Sequence, residues 1–208
     1  MPPASTSEPA LGRVARGEQT RARLLDAARH AFATAGWSRA RVEDVCRAAG
    51  VGHGTFYAYY ANKTSVLEAL VRRHAEDLNT VLEADWTSGD VRADVRRVIA
   101  GFVEISERDA DVRSVWSAAA PAEPILAALV DEVRRQFVER IRRGLAAARD
   151  AGHTRLDLDV DVAASALAAM VEQTVALSQR GEAPADSGRV VDGLTDIWVH
   201  AVYGRGDG

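Results

Sequence analysis

The stretch from Val42 to Tyr60 constrains the fold of this chain more than any other. Val42, Val45, Cys46 and Ala49 repeat at helical spacing, and their stripe ends at Gly50. After the turn Gly50-Val51-Gly52, Phe56 and Tyr60 stand four residues apart on a further short helix. Two short helices joined by a turn containing glycine form a helix-turn-helix, whose second helix enters the major groove of DNA. With Phe56 and Tyr60 inward, His53, Gly54, Tyr57 and Ala58 fall outward, and Thr55 and Tyr59 lie on the flanks.

That outward set suits a duplex. A phenol or threonine hydroxyl matches a phosphate oxygen, while His53 and Thr55 can reach base edges. Gly54 and Ala58 leave room for close approach. Three of the four tyrosines in the chain, Tyr57, Tyr59 and Tyr60, fall here, and its single lysine, Lys63, follows at once. Lys63 opens the next helix, where backbone amides already favour an anion. The reading places Tyr60 in the core and gives Tyr57, Tyr59 and Lys63 to phosphates.

Charge follows the same division. Residues 13–73 hold eleven Lys or Arg against five Asp or Glu, and the remainder hold fifteen against twenty-five, so a basic third precedes an acidic rest. With 208 residues, 47% of them hydrophobic, the chain can bury one good core or two modest ones. No uninterrupted apolar run approaches the roughly 20 residues that cross a bilayer, and the N-terminus lacks the basic and apolar regions of a signal peptide. A cytoplasmic protein without membrane contact is expected. One cysteine, Cys46, excludes an internal disulfide and reads as a small buried hydrophobe.

The remaining chain is helical in pattern throughout. Residues 1–17, rich in Pro, Ala, Ser and Gly, read as a disordered arm made basic by Arg13 and Arg16. Leu24, Leu25, Ala28, Ala31, Phe32 and Ala35 then mark a first helix stopped by Gly36, and a long helix covers about 62–83. Further periodic segments span about 89–107, 110–119, 122–150, 160–180 and 187–203. No strand or hairpin signal occurs, so the expected class is all-α.

The run TRARLLDAARHAFATAGW, with VEDVCRAAGVGHGTFYAYYANKTSVLEAL after it, resembles the N-terminal domain of the TetR family of bacterial transcriptional regulators. The resemblance implies a three-helix DNA-binding domain, assigned here to 18–64, and a helical ligand-binding and dimerisation domain over 65–208. It also implies repression of a promoter that a small molecule releases. Two positions depart from the family pattern. Ala40-Arg41 replaces the usual hydroxyl at the start of the second helix, which leaves Ser38 to cap it or costs about 1 kcal/mol. Gly52 replaces the serine usual at the head of the recognition helix, at a few tenths of a kcal/mol. The candidate DNA contacts are therefore Arg41, Gly52, His53, Gly54, Thr55, Tyr57, Tyr59 and Lys63, with Glu43 a repulsive neighbour if it points outward.

The last two segments are apolar with few charges. Ala163, Ala166, Leu167 and Thr174 on one, and Val191, Leu194, Ile197, Trp198 and Ala201 on the other, form stripes suited to a four-helix dimer interface. A dimer would set two recognition helices roughly 34–36 Å apart, the spacing of successive groove faces in a palindrome. Candidate pocket residues among the middle helices are Phe102, Ile105, Trp116, Ile125, Leu129, Phe137 and Met170, with Gln173 as a polar orienter of a largely apolar effector. No cofactor, metal or catalytic residue is expected. The run DLDVDVD fails as a calcium loop because Val162 and Ala168 replace the required glycine and glutamate, leaving Asp159 or Asp161 as a helix cap. His74 and Asp77 read as part of a solvated face. GHGT lacks the nucleophile elbow an enzyme would need. The expectation is a homodimeric, ligand-responsive repressor on duplex DNA; the competing class is a helical small-molecule-binding or scaffold protein without specific DNA binding.

Overall fold

The computed structural model describes residues 8–82, 90–184 and 186–204, and among them only helices and their connections occur. The helices are α1 (Glu8–Ala35), α2 (Val42–Ala49), α3 (His53–Tyr59), α4 (Lys63–Leu82), α5 (Val91–Arg108), α6 (Ala110–Ala119), α7 (Pro124–Asp150), α8 (Val160–Gln179) and α9 (Ser187–Tyr203). The expected all-α class is the observed one. One boundary moves far: α1 begins at Glu8, so residues 8–17 are helical where an irregular arm was expected. Pro9 sits in the first turn, where a missing amide hydrogen costs nothing, and the Ala, Leu and Arg residues that follow favour a helix. Residues 1–7 lie outside the described part.

Two compact units divide the chain: residues 1–72 with 111–127, and residues 73–110 with 128–208. The expected boundary at 64/65 therefore falls inside the first unit. Its core is built on Leu24, Ala28, Phe32, Val45, Phe56, Val66 and Leu67, and α6 with the start of α7 adds Val112, Val115, Ala119 and Leu126. Arg29 on α1 holds Asp111 through two hydrogen bonds of 2.7 and 2.6 Å, which fixes α6 to this core. The first unit is thus larger than a three-helix domain because a distant segment supplies part of its apolar cover.

The second unit buries Phe102, Phe137, Leu167, Val171, Leu194 and Trp198 in one core. Helices α4 and α5 approach closely where Gly101 faces Val81: a Cβ there would stand 2.5 Å from Val81 Cγ1. Asp159, not Asp161, caps α8, accepting from the amides of Asp161 and Val162.

His74 overturns its expected place on a solvated face, being only 4% exposed. Its Nδ1 lies 2.9 Å from Asp109 Oδ2. Since an ionised carboxylate only accepts, the ring donates there. Arg108 adds a fork of 3.0 and 2.7 Å on Asp109 and also reaches Asp77. Burial pushes the Asp109 carboxyl up, but hydrogen bonds from Arg108 and His74 outweigh it and hold the group down at about 2 against an ordinary 3.8. A depressed carboxylate stabilises the fold above its unfolded value and loses that contribution as pH falls from about 4 towards 2. We expect Asp109→Asn to cost about 2 kcal/mol in urea unfolding at pH 7 and to flatten the acid limb of stability against pH in that window. An acid limb unchanged by the substitution would take Asp109 out of this account.

Candidate nucleic-acid interface

The turn between α2 and α3 is set by backbone chemistry. Gly50 takes the left-handed conformation, φ 63°, and ends α2. The Val51 amide then donates to Cys46 O at 3.0 Å, and the Gly50 amide to Arg47 O at 3.2 Å. Arg23 of α1 donates to Ala49 O, closing the same helix end from outside. At the other end of α2 the Arg41 side chain makes no cap hydrogen bond, and the start is held by half of a capping box. Asp44 accepts from the Arg41 amide at 3.0 Å, and Ser38, the alternative considered from sequence, is exposed and bonded to neither. Cys46 is buried, and burial raises its thiol pKa.

Helix α3 shows the faces its spacing implies. Phe56 is fully buried and Tyr60 5% exposed, with their rings 5.9 Å apart. His53, Gly54, Tyr57 and Ala58 are exposed, Tyr57 at 57%, and Thr55 is intermediate. Nothing lies within 4 Å of where a Cβ would stand on Gly52 or Gly54, so both positions are open to an approaching surface. Tyr59 is less exposed than Tyr57, and its hydroxyl lies beside Gly17 of α1. Arg41 and Glu43, at the start of α2, are both exposed.

The start of α4 closes the unit. Asn62 Oδ1 accepts from the Ser65 amide at 2.8 Å, and Ser65 Oγ accepts from the Asn62 amide at 3.1 Å, a reciprocal capping box. Lys63 has a role that its sequence position did not reveal. Its Nζ donates to Trp37 O at 2.9 Å and stands 4.3 Å from the centre of the Trp37 ring. One of its three hydrogens therefore ties α4 to the segment after α1, leaving two for an anion.

Comparison with known proteins agrees with this geometry. The profile of bacterial regulatory proteins of the tetR family matches residues 24–70, and that of the C-terminal domain of the transcriptional regulator EthR matches residues 95–204. The chain belongs to the TetR family. It is 38% identical to the HTH-type transcriptional repressor LfrR of Mycolicibacterium smegmatis over 61% of its own length, an alignment spanning 65% of LfrR. It is 29% identical to the regulator EthR of Mycobacterium tuberculosis over 79% of this chain and 78% of EthR. The structure of SmeT, the repressor of the Stenotrophomonas maltophilia multidrug efflux pump SmeDEF, superposes with a TM-score of 0.74 at 26% identity over 89% of this chain and 91% of SmeT.

Within this TetR-family chain, the residues expected around a ligand separate. Phe102 and Phe137 pack with ring centres 5.1 Å apart, and Ile105 is buried beside them, so that space is core rather than cavity. Trp116 packs against the first unit's core, while Ile125 is 57% exposed and Gln173 is exposed. Leu129 is buried and Met170 partly buried. Three cavities of the second unit are lined by other residues, from α5, α7, α8 and α9 and the connections next to them. The expected dimer stripes also divide. Leu167, Val191, Leu194 and Trp198 are buried in the chain's own core, and Ala163 and Thr174 are partly buried. Ala166, Ala201 and Ile197, the last 56% exposed, remain outward. Helical spacing identified each apolar face, but not whether the same chain covers it.

The two roles open to Lys63 predict different measurements. If its ammonium also meets a phosphate, Lys63→Ala lowers the slope of log K against log salt by about one unit on a bound duplex. A purely internal role would leave the slope unchanged and show only as lost thermal stability of the protein.

Proposed function

We propose that the chain acts as a homodimer that binds a palindromic DNA operator through two copies of α3 and represses a nearby promoter until a small, largely apolar effector releases it. The observation that carries the reading is the α3 surface: Tyr57, His53 and Thr55 presented around two open glycine positions, on a helix pinned from behind by buried Phe56. His53 and Thr55 would read base edges, while Tyr57, Tyr59, Arg41 and Lys63 would position the helix on phosphates. The repressor sign follows the names of LfrR and SmeT.

Dimerisation draws support from α8 and α9. Over its most apolar window α8 has a mean hydropathy of 1.4, yet only 33% of that window is buried. Such length and composition alone would suffice to cross a membrane, but Asp161 and Glu172 interrupt the apolar run of the helix, and a second copy is the better cover. Ile197 and Ala201 on α9 and Ala166 on α8 lie outward and would meet the partner. We place the protein in the cytoplasm, where its DNA is.

Release is a matter of linkage. An effector bound in the second unit can weaken DNA binding only by its differential affinity for two conformers. Helix α4 passes from the first unit into the second at Arg72 and Arg73, which makes it the natural coupling element.

Sedimentation and fluorescence anisotropy test this reading together, using duplex from the promoter region beside the protein's own gene. We expect a particle of twice the 22.3 kDa chain mass, and Ile197→Glu to yield folded monomers with operator affinity reduced at least ~tenfold. A monomer of undiminished affinity would refute dimeric reading. On the same duplex, His53→Ala should relax base preference with non-specific binding nearly intact, whereas Tyr57→Phe should weaken all sequences alike.

A further inference from the structure

The second unit keeps a carboxylate out of water beside empty space. Asp94, in the first turn of α5, is 2% exposed and lines a cavity of about 250 Å³. The cavity wall is mostly small and apolar, with Val91 of α5 and Gly144, Ala147 and Ala148 of α7, and it is completed by Tyr203 at the end of α9 and by the exposed His153 after α7. An ionised carboxylate in such a place is costly unless positive charge answers it. Arg97 Nη2 lies 2.8 Å from Asp94 Oδ1, but out of line for a hydrogen bond, and the Arg97 side chain is 47% exposed. The positive partner therefore stands half in water while the negative one is buried. Burial first, then the charge of Asp94, raises the Tyr203 phenol pKa.

A buried negative charge, an aromatic ring and a hydrocarbon wall select among ligand classes. Anions are repelled. A hard metal ion needs six or more oxygen ligands, whereas the lining side chains offer oxygen only from Asp94 and Tyr203, with one imidazole from His153. A weakly hydrated organic cation loses little on leaving water, gains the carboxylate field and the ring, and buries its carbon atoms against Gly144 and Ala148. The volume lies just below the usual range for drug-sized sites, which favours a small molecule.

We propose that this cavity binds a small organic cation with an apolar body, its ammonium or quaternary nitrogen facing Asp94. The proposal rests on the reading of the second unit as effector-binding, and it gives that effector a charge.

Calorimetric titration of the full chain with phenyltrimethylammonium and with tert-butylbenzene, its neutral carbon analogue, tests it. We expect saturable binding of the cation at least ~tenfold tighter than of the hydrocarbon, a preference that Asp94→Asn erases. Ala148→Leu, which fills the cavity and leaves Asp94 in place, should weaken both. Equal affinity for the two probes, no saturable binding of the cation, a preference that survives Asp94→Asn, or indifference to Ala148→Leu each overturns the site. Should Asp94→Asn not fold, the probe pair on the wild type and Ala148→Leu decides. Operator binding measured on the same preparations separates the two readings. A cation bound by Asp94 without effect on DNA keeps the site and removes its role as effector site, whereas failure of the cation beside intact operator binding removes the site alone.

Discussion

A helix of seven residues does not persist in water on its own hydrogen bonds; isolated helices shorter than roughly 12–15 residues are marginal even with favourable sequences. Helix α3 therefore owes its existence to what it packs against, and the side chain that secures it is Phe56, fully buried in the first unit's core. Removing an aromatic side chain from such a place costs about 3–5 kcal/mol. Every other device in the unit bears on the same problem of holding a short helix outward. Gly50 turns the chain, Arg23 closes the end of α2, and the Asn62–Ser65 box starts α4 where α3 stops. Lys63 on Trp37 then ties that start back to the segment after α1.

The two units treat charge differently. In the second unit arginines meet carboxylates across helices, as Arg96 does with Asp192 and Arg134 with Glu172, or within a helix, as Arg142 does with Glu139. Most of these pairs are exposed and add little stability individually. Their effect is on the field: each pairs an arginine with a carboxylate and so cancels its charge locally. The first unit carries its surplus of basic residues in the stretch 13–72, the stretch that includes α3.

The helices and the α3 face were legible in the sequence because both rest on local periodicity and on glycine. Val45, Cys46 and Phe56 sit where their spacing puts them. What could not be read was decided by contacts between distant residues. Asp109 lies thirty-five positions from His74, so the burial of that histidine has no local sign. The same holds for Lys63, whose carbonyl partner is twenty-six residues earlier, and for Asp111, which brings α6 into the first unit. On α8 and α9 the stripes were real, but spacing does not say whether the cover comes from the same chain or another. Trp198 went inward and Ile197, its neighbour, outward. For the pocket residues too, spacing does not separate filled space from empty: the large aromatics Phe102 and Phe137 pack on each other, whereas the cavity beside Asp94 is lined mainly by small residues with His153 and Tyr203.

The account stands on α3 reading DNA as one of a pair. Its most direct test is selection of bound duplexes from a random library at near-physiological salt, using the full chain. The expected result is a palindromic consensus whose half-sites lie one helical turn apart, roughly 34–36 Å. Well-folded protein that enriches no sequence would contradict it, and would leave a helical small-molecule-binding protein in its place.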